Sequence, residues 1–588
     1  MFSFQIFTFQ FFTFQFFMFI ISTIGMWELI RSIFDIEESF IPGITVAAQV
    51  TVLFFAGLFN LLPEAVTFLS VLGFLGMTLT LVSKDKRNLL IKRYCDWSYL
   101  FLCVTVLIVA AAVHGKCFSL YDNFSHWALV VRQMLQTDRF PTFMDPIIEF
   151  QDYPLGSASF IYFFCKSVGK ETESIQMLAQ AYMMIVSMLP LFSFSSKKTF
   201  IQTILILATT NFFFVFCVPV TELLVDTLLA VVSAAGMSYA LRYRKATETR
   251  QIIPIALYLI QILQIKNSGM FFALAISAAV LAGWRENTAL RIGCILSSFF
   301  TVLLWHKHAA YVFADAAHAQ HSISSENYQS IIGKKTMEDI RFIIHADVHR
   351  ALTIRPVIMT VLLICAVGLI VFLYDKGKFR RYIKISLAAA GLYILYQTGT
   401  LAMYLFSMPI SEARSLASFD RYTSSILIFV IYMILAEALT IFSDSERGNM
   451  WNVIFSLSFV LLLCFSMRCS LGSVRTVFSG ISGPKKQERL QVRLWVEDVK
   501  REYDIPLKET YTILVPAHDL KGYAFRVGKF VFQTDDVTSI ENADADSLDS
   551  IKSKYVLIYD QENDAVKSWV NEKYPEQAGE DVIILRKD

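Results

Sequence analysis

The chain alternates long apolar segments with short polar ones over most of its length. A helix needs about 20 predominantly apolar residues to cross the hydrocarbon core of a bilayer. Fourteen segments approach this length: 4–26, 44–62, 65–83, 97–114, 172–195, 199–218, 222–241, 251–266, 268–284, 289–307, 351–374, 382–406, 422–442 and 451–469. Several are short, and one or two suit a re-entrant segment as well as a complete span. The pattern predicts an all-α polytopic membrane protein with about 13–14 transmembrane helices.

The composition agrees with this pattern. Of the 588 residues, 55% are hydrophobic and 17% are charged, whereas soluble domains carry about 25% charged residues. The net charge of +2 gives no argument for a nucleic-acid partner. The nine cysteines are scattered, and no pair has the spacing of a zinc ribbon or a redox motif. Membrane lipids are therefore the expected surroundings of the chain.

The basic residues indicate how the chain is oriented, because short cytoplasmic loops are enriched in Lys and Arg. Clusters of basic residues lie on alternate loops between the predicted spans: 84–93, 197–198, 242–250, 285–291 and 376–384. The alternation places four regions outside: 115–171, 308–350, 407–421 and the stretch after about 470. The prediction is a multi-pass protein of the cell membrane with an extracytoplasmic C-terminal region, and the side of the N-terminus stays open.

The last hundred residues have shorter apolar runs and more charge, which indicates a small α/β domain over 484–588. Helices are predicted at Gln487–Tyr503 and Asn563–Tyr574. Strands are predicted at Tyr511–Val515, Arg526–Phe532, Tyr555–Tyr559 and Asp581–Leu585. The domain has no phosphate loop, nucleophile elbow or metal motif, so we interpret it as a cap or a partner-binding module. Residues 1–96 then form N-terminal transmembrane helices, and residues 97–470 form the transmembrane core.

The first outer loop, 115–171, carries two carboxylates close to the predicted membrane edge. Asp122 lies in Tyr121-Asp-Asn-Phe-Ser-His-Trp127, and Asp152 lies in Glu149-Phe-Gln-Asp-Tyr-Pro-Leu-Gly156. Ionisable residues at this depth tend to mark function. One carboxylate could act as a base while the other orients a group or holds a cation. Helix capping by both is the alternative.

Other polar and aromatic side chains of this loop are candidates for contact with a substrate. These are His126, Trp127, Glu149 and Tyr153. Aromatic side chains such as Trp127 and Tyr153 suit the membrane interface.

Cationic side chains lie at the same predicted edge. Lys266 begins the turn Lys266-Asn-Ser-Gly269, and the loop 407–421 contains Arg414 and Arg421, with Tyr422 directly after it. Such cations suit a phosphate group. The alternatives are a lysine that extends toward the interface and ion pairs of the two arginines with Glu412 and Asp420.

The long outer region 306–350 contains six of the nine histidines and several basic residues. His345 and His349 have the spacing of one helix face. The alternatives for this region are a metal site, histidines that order the loop, contact with a polar substrate, and contact with anionic lipid headgroups.

Together these groups suit transfer of a sugar from a lipid-linked phosphosugar. The acceptor hydroxyl needs a carboxylate base, and the departing phosphate needs cationic stabilisation by Lys, Arg or a divalent ion. Direct displacement through an oxocarbenium-like transition state inverts the anomeric configuration. A divalent cation, Mg²⁺ or Mn²⁺, stays open as a partner of Asp122 and Asp152.

Four motifs resemble the GT-C superfamily of membrane glycosyltransferases, and in particular its bacterial members related to protein mannosyltransferases. They are Tyr121–Trp127, Asp152–Gly156, Lys266–Gly269 and Ala417–Tyr422, and the resemblance covers roughly 97–470. It implies a GT-C-like fold, a polyprenyl-phosphate-linked sugar donor, and Asp122 as catalytic base or metal partner. The acceptor would be a cell-envelope glycan, a lipid or a protein, and the sugar a hexose or a pentose.

Two features depart from that family pattern. Asn123 stands where the family often has a second acid, so Asp152 or Glu149 would take that role. Three predicted spans precede residue 97, whereas the family usually reaches its first outer loop after one.

Two other classes of function stay open. A transporter or flippase is compatible with Glu222, Asp226 and Glu437, which lie within apolar stretches. A non-catalytic assembly protein of the cell envelope would use the C-terminal domain as its contact. Function that survives Asp122→Ala would favour either of these over the glycosyltransferase.

Overall fold

The computed structural model describes residues 13–194, 220–283, 287–314, 329, 331–443, 484–516, 520–578 and 582–586. Two predicted spans, 199–218 and 451–469, lie outside these ranges. Residues 4–12 of the predicted span 4–26 lie outside them as well. All statements about the fold refer to the described residues.

Helices dominate the first 443 residues. The helices of the N-terminal part are α1 (Phe14–Ile33), α2 (Ile41–Leu58), α3 (Leu62–Val82), α4 (Lys84–Tyr94), α5 (Trp97–Val113), α6 (Ala128–Thr137), α7 (Gly156–Val168) and α8 (Glu173–Val186). The next are α9 (Asp226–Arg242), α10 (Pro254–Ile265), α11 (Gly269–Gly283), α12 (Thr288–Val312), α13 (Met337–Thr353), α14 (Arg355–Tyr374), α15 (Lys376–Phe406), α16 (Ile410–Ser415) and α17 (Phe419–Ser443).

Eight helical segments among the described residues are long and apolar enough to cross a membrane. They are α1, α2 with the helical turn before it (Glu38–Leu58), α3, α8 with the helical turn after it (Glu173–Phe194), α12, α14, α15 and α17. The pair α4 and α5, bent by 60°, counts as a ninth if it is one broken span, and the apolar helices α10 and α11 are shorter. Because predicted spans 199–218 and 451–469 lie outside the described residues, the count of about 13–14 for the whole chain stays a prediction. Three predicted spans, at 222–241, 251–266 and 268–284, correspond to the shorter helices α9, α10 and α11.

The described residues of the region 308–350 lie largely in helices. Helix α12 continues to Val312, and α13 occupies Met337–Thr353. Thr336 and Asp339 form a capping box at the start of α13, which satisfies backbone N–H groups that the first turn leaves without helical partners. His345 and His349 lie one turn apart on α13, with parallel rings 6.3 Å apart. His318 and His321 lie outside the described residues.

Helices α1 and α3 approach each other closely through glycines. A Cβ atom built on Gly25 would lie 1.8 Å from the backbone oxygen of Gly73, and one built on Gly73 would lie 2.3 Å from the backbone oxygen of Ser22. The Ser22 hydroxyl also donates a hydrogen bond to the Ser70 carbonyl across this contact, at 3.1 Å. Only residues without a side chain allow the two backbones to pack at this distance.

Replacement of Gly73 by alanine is expected to destabilise the protein by about 1–3 kcal/mol, because the added methyl group forces the two helices apart. Denaturant unfolding of the purified protein in detergent measures this change. Gly391→Ala in α15 is the matched control, since a Cβ there meets no atom within 4 Å. It should leave stability unchanged or raise it by up to about 1 kcal/mol, the gain in helix propensity. Equal stability of the two variants would contradict the close packing of α1 and α3.

The C-terminal region is a small α/β domain, as the sequence predicts. Its elements are α18 (Pro484–Glu502), β1 (Tyr511–Val515), α19 (Lys521–Phe532), β2 (Val537–Glu541), α20 (Ala545–Asp549), β3 (Tyr555–Ile558), α21 (Asp564–Lys573) and β4 (Ile584–Arg586). The strand order is β2-β1-β3-β4. Strand β1 is parallel to both neighbours, Tyr511 pairing with Val537 and Tyr555, and β4 is antiparallel to β3.

One predicted strand of this domain is wrong. Arg526–Phe532 belongs to helix α19, and the strand that follows β1 in the chain is β2, which the sequence did not suggest. Tyr523, Val527 and Val531 of α19 are all buried, and their i, i+4, i+8 spacing is that of a helix face rather than of a strand.

Candidate functional site

The site begins where two buried helices start side by side. Asp226 is the first residue of α9 and Arg421 is the third residue of α17. The Ser425 hydroxyl donates to the Asp226 backbone oxygen at 3.2 Å and joins the second turn of α17 to the first turn of α9. An anionic side chain in the first turn of a helix interacts favourably with the helix dipole, so Asp226 is well placed electrostatically even though it is buried.

Asp226 is held between two cations. Its Oδ1 accepts a hydrogen bond from Lys266 Nζ at 2.8 Å, and its Oδ2 lies 3.1 Å from Arg421 Nε. Arg421 also forms an ion pair with Asp122 through its Nη1 nitrogen. The four side chains therefore form one continuous chain of alternating charge in the order Lys266, Asp226, Arg421, Asp122. We call this set of four side chains the charge relay cluster.

Exposure differs along the charge relay cluster. The Asp226 side chain is 2% exposed and that of Lys266 10%, whereas that of Asp122 is 30% exposed. Asp122 is therefore the most accessible group of the four. A molecule that enters the site therefore reaches Asp122 most easily, and Arg421 is the next most exposed member, at 19%.

Lys266 is placed by the turn between two apolar helices. It caps the C-terminal end of α10 with extended backbone angles, and α11 begins three residues later at Gly269. A Cβ on Gly269 would lie 2.3 Å from the Ile262 backbone oxygen, so the turn closes only with glycine there. The Lys266 ammonium lies over the Tyr422 ring, 4.7 Å from its centre, a favourable cation–π distance.

The segment that carries Asp122 is fixed by a buried acid, Glu222. Its carboxylate accepts hydrogen bonds from the Ser119 hydroxyl at 2.8 Å and from the side-chain amide of Asn123. The Asn123 side-chain oxygen in turn accepts from the Leu223 backbone N–H at 3.1 Å. Asn123 is fully buried. The residue that departs from the family pattern thus anchors the segment and leaves Asp122 directed at Arg421.

An aromatic group lies beside the charge relay cluster. The His126 ring is in edge contact with the rings of Trp127, Phe150 and Tyr153, with centres 4.7, 5.5 and 5.0 Å away. His126 and Trp127 also line a small cavity with Gln180 and Ser157. Burial, together with the nearby Lys266 charge, lowers the pKa of His126 to about 3. His126 is therefore neutral at physiological pH.

His126 makes stability depend on pH. In the unfolded chain His126 binds a proton as the pH falls below about 6.5. In the folded chain it does so only near pH 3. The stability that neutral His126 contributes is present above pH 6.5 and is lost as pH falls, by up to about 1.4 kcal/mol per pH unit. The difference in unfolding free energy between wild type and His126→Phe is therefore expected to shrink between pH 7 and pH 4 in denaturant titrations. His349→Phe, at an exposed position, serves as the control, and a difference for His126→Phe that is constant with pH would contradict the low pKa.

Two residues grouped with the site by sequence form ion pairs with residues outside the charge relay cluster. Arg414 forms an ion pair with Asp339 of α13 at 3.0 Å. Glu149 forms ion pairs with Arg526 and Lys529 of the C-terminal helix α19, the second at 2.8 Å. Burial alone would raise the pKa of Glu149, but the hydrogen bonds from these two cations outweigh it and lower the pKa. Glu149 therefore serves the contact between domains.

Asp152 is placed by its backbone, whose carbonyl oxygen accepts a hydrogen bond from the indole N–H of Trp305 at 3.0 Å. The second acid that contacts Arg421, besides Asp122, is Asp226, and the role predicted for the Asp152 side chain stays a prediction. Arg414 and Arg421, for which pairing with Glu412 and Asp420 was the alternative role, form ion pairs with other acids. Asp420 pairs with Arg350 at 3.1 Å.

Asp226 and Glu222 are the two functional residues that the sequence did not place in the site. A signal was present, because both are acids next to an apolar stretch, and buried acids in such stretches need partners. Their partners are far away in the chain, and only the fold brings them together.

The divalent cation left open by the sequence does not suit the residues present. Among the described residues, no three His, Cys, Asp or Glu side chains are grouped as metal ligands. Within the charge relay cluster, Asp122 and Asp226 are neutralised by Arg421 and Lys266, which leaves little net charge to attract a divalent ion. The proposed mechanism therefore uses no metal ion.

Comparison with known proteins gives no match, either to a family model or to a curated sequence. The arrangement of the described residues is therefore the basis for the function that follows.

Proposed function

We propose that the chain is a multi-pass protein of the cell membrane and a glycosyltransferase of GT-C type. In this proposal it transfers a sugar from a polyprenyl-phosphate donor to an extracytoplasmic glycan, lipid or protein acceptor. The observation that carries the proposal is the charge relay cluster, because it joins a partly exposed carboxylate to two cations. A reaction that needs a base and a phosphate-stabilising charge within one small site would use such a set.

The roles in this proposal follow from exposure and charge. Asp122 accepts the proton of the acceptor hydroxyl as the acceptor oxygen forms its bond to the anomeric carbon. The bond from that carbon to the phosphate oxygen breaks, and polyprenyl phosphate leaves with the bonding electrons. Arg421 and Lys266 stabilise the negative charge of the departing phosphate. Attack opposite the leaving group inverts the anomeric configuration.

Asp226 has a supporting role in this scheme. It lies between Lys266 and Arg421, and its negative charge offsets the repulsion between these two cations. Their side chains can then stay close enough to bind one phosphate together. The aromatic rings of Trp127, Tyr153 and Tyr422 lie beside them and offer surfaces for a sugar or an isoprenoid chain.

The experiment that tests the function is a donor panel. Purified protein in detergent is incubated with polyprenyl-phosphate-linked hexoses and pentoses, and both donor loss and released polyprenyl phosphate are measured. We expect one donor to be consumed by the native protein and none by a heat-inactivated sample. If the whole panel stays intact in the presence of cell-envelope acceptors, the glycosyltransferase proposal is wrong.

A transporter or lipid flippase is the second candidate. It is favoured by acids buried in helices, Asp226 in α9 and Glu437 in α17, the latter paired with Arg381 at 2.7 Å. The same donors in reconstituted vesicles separate the two candidates. A flippase moves the intact lipid between leaflets without releasing polyprenyl phosphate, whereas a transferase releases it.

A further inference from the structure

The C-terminal domain contacts the outer loop through one face of helix α19. Arg526 Nε donates a hydrogen bond to the Tyr121 hydroxyl at 3.1 Å, and the same guanidinium forms an ion pair with Glu149. Lys529 Nζ adds a second ion pair with Glu149 at 2.8 Å. These side chains are largely buried, with Arg526 and Glu149 both 13% exposed and Lys529 4% exposed. Such shielded, charge-assisted contacts hold geometry better than exposed ion pairs.

The two residues that Arg526 joins belong to different parts of the loop. Tyr121 directly precedes Asp122. Glu149 directly precedes Phe150, whose ring packs against His126 with centres 5.5 Å apart. Arg526 therefore ties the segment that carries the proposed base to the segment that supplies the aromatic wall. We call this contact the Arg526 clip.

Further contacts hold the domain rigidly against the same loop. The Tyr523 hydroxyl donates to the Ser119 backbone oxygen at 3.0 Å, and the rings of Tyr523 and Phe530 pack against Phe124 with centres 5.7 and 5.2 Å away. Arg493 of α18, which is fully buried, forms an ion pair with Glu173 at the start of α8 at 2.6 Å. The domain is thus anchored to a membrane helix as well as to the loop.

We propose that Arg526 is a positioning residue for Asp122, so that the C-terminal domain forms part of the active site without touching the substrate. The role of Asp122 itself rests on the proposed function. The clip fixes the backbone on both sides of the site, and small displacements of a catalytic group are costly to rate. Loss of the clip is then expected to lower kcat more than it raises the KM for the donor.

The test compares Arg526→Ala, Arg526→Lys and Arg501→Ala in the full-length protein. Arg501 lies in the same domain and is 81% exposed, so it is the matched control. We expect Arg526→Ala to lower kcat on the order of 10–100-fold with a nearly unchanged KM. Lysine should restore part of the rate, because it keeps the charge opposite Glu149 but cannot also reach Tyr121. Arg501→Ala should behave as wild type.

Hydrogen exchange gives a readout that needs no substrate. Arg526→Ala should speed exchange of amides in both 118–127 and 149–156, and Arg501→Ala should not. The proposal is wrong if the wild type is active and Arg526→Ala keeps the wild-type kcat. It is also wrong if Arg501→Ala loses as much kcat as Arg526→Ala. If the wild type consumes no donor, the proposed function fails, and exchange alone decides: faster exchange in both segments supports the clip, and unchanged exchange rejects it.

Discussion

Asp122→Asn is expected to lower kcat for donor consumption by about 100-fold or more, the usual range for loss of a general base. The amide has nearly the same shape as the carboxylate but cannot accept the proton of the acceptor hydroxyl. It also leaves Arg421 with Asp226 as its remaining charged partner in the charge relay cluster. Initial rates of polyprenyl-phosphate release, measured at saturating donor, report the change.

Asp420→Asn is the matched control for this variant. Asp420 is an acid next to Arg421 in the first turn of α17, but its side chain is 63% exposed and pairs with Arg350. Its loss should leave the rate within about twofold of wild type, because exposed ion pairs contribute on the order of 1 kcal/mol or less. Wild-type activity in Asp122→Asn would exclude the proposed base and favour a flippase or an assembly protein.

Asp226→Asn is expected to lower the free energy of unfolding by about 3–5 kcal/mol, the cost of removing one partner from a buried ion pair. Asp226 lies between two cations, and its neutralisation leaves Lys266 facing Arg421 with little to offset their repulsion. Denaturant unfolding in detergent, monitored by tryptophan fluorescence, measures the loss. Donor turnover should fall as well, because the two cations are expected to move apart.

A second substitution identifies the cause of that loss. Adding Lys266→Gln to Asp226→Asn removes one of the two unpaired charges, so the double variant should be more stable than the sum of the single effects predicts. Asp420→Asn, with its exposed partner, should lose about 1 kcal/mol or less. Additive losses at Asp226 and Lys266 would show that the pair is not coupled.

Much of the helical fold could be predicted from local sequence. The predicted segments 65–83, 97–114 and 351–374 agree closely with α3, α5 and α14. Burial in a bilayer depends on how apolar a segment is over about 20 residues, and this property is local. Segment length was predicted less well, because α9, α10 and α11 are shorter than a full span, and a helix ends where polar turns such as Lys266–Gly269 interrupt it.

The C-terminal domain shows where local pattern misleads. Short apolar runs are compatible with a strand or with a buried helix. Arg526–Phe532 is predicted as a strand but belongs to helix α19. Strand β2 was missed because its sequence, Val537–Glu541, contains few apolar residues. Its backbone pairs with the parallel strand β1, and that pairing depends on the fold rather than on its own composition.

Local sequence predicts the helical, apolar character of the chain and the α/β character of its last hundred residues. It also identifies Asp122, Lys266 and Arg421, three members of the charge relay cluster, as candidate site residues. Which groups meet depends on how the helices pack. Arg421 and Asp122 are 299 positions apart in the chain, and Asp226, an acid within an apolar stretch, lies between Arg421 and Lys266. The physical reason is that hydrophobic burial is a property of each segment, whereas an ion pair is a property of two side chains that only packing can bring within reach.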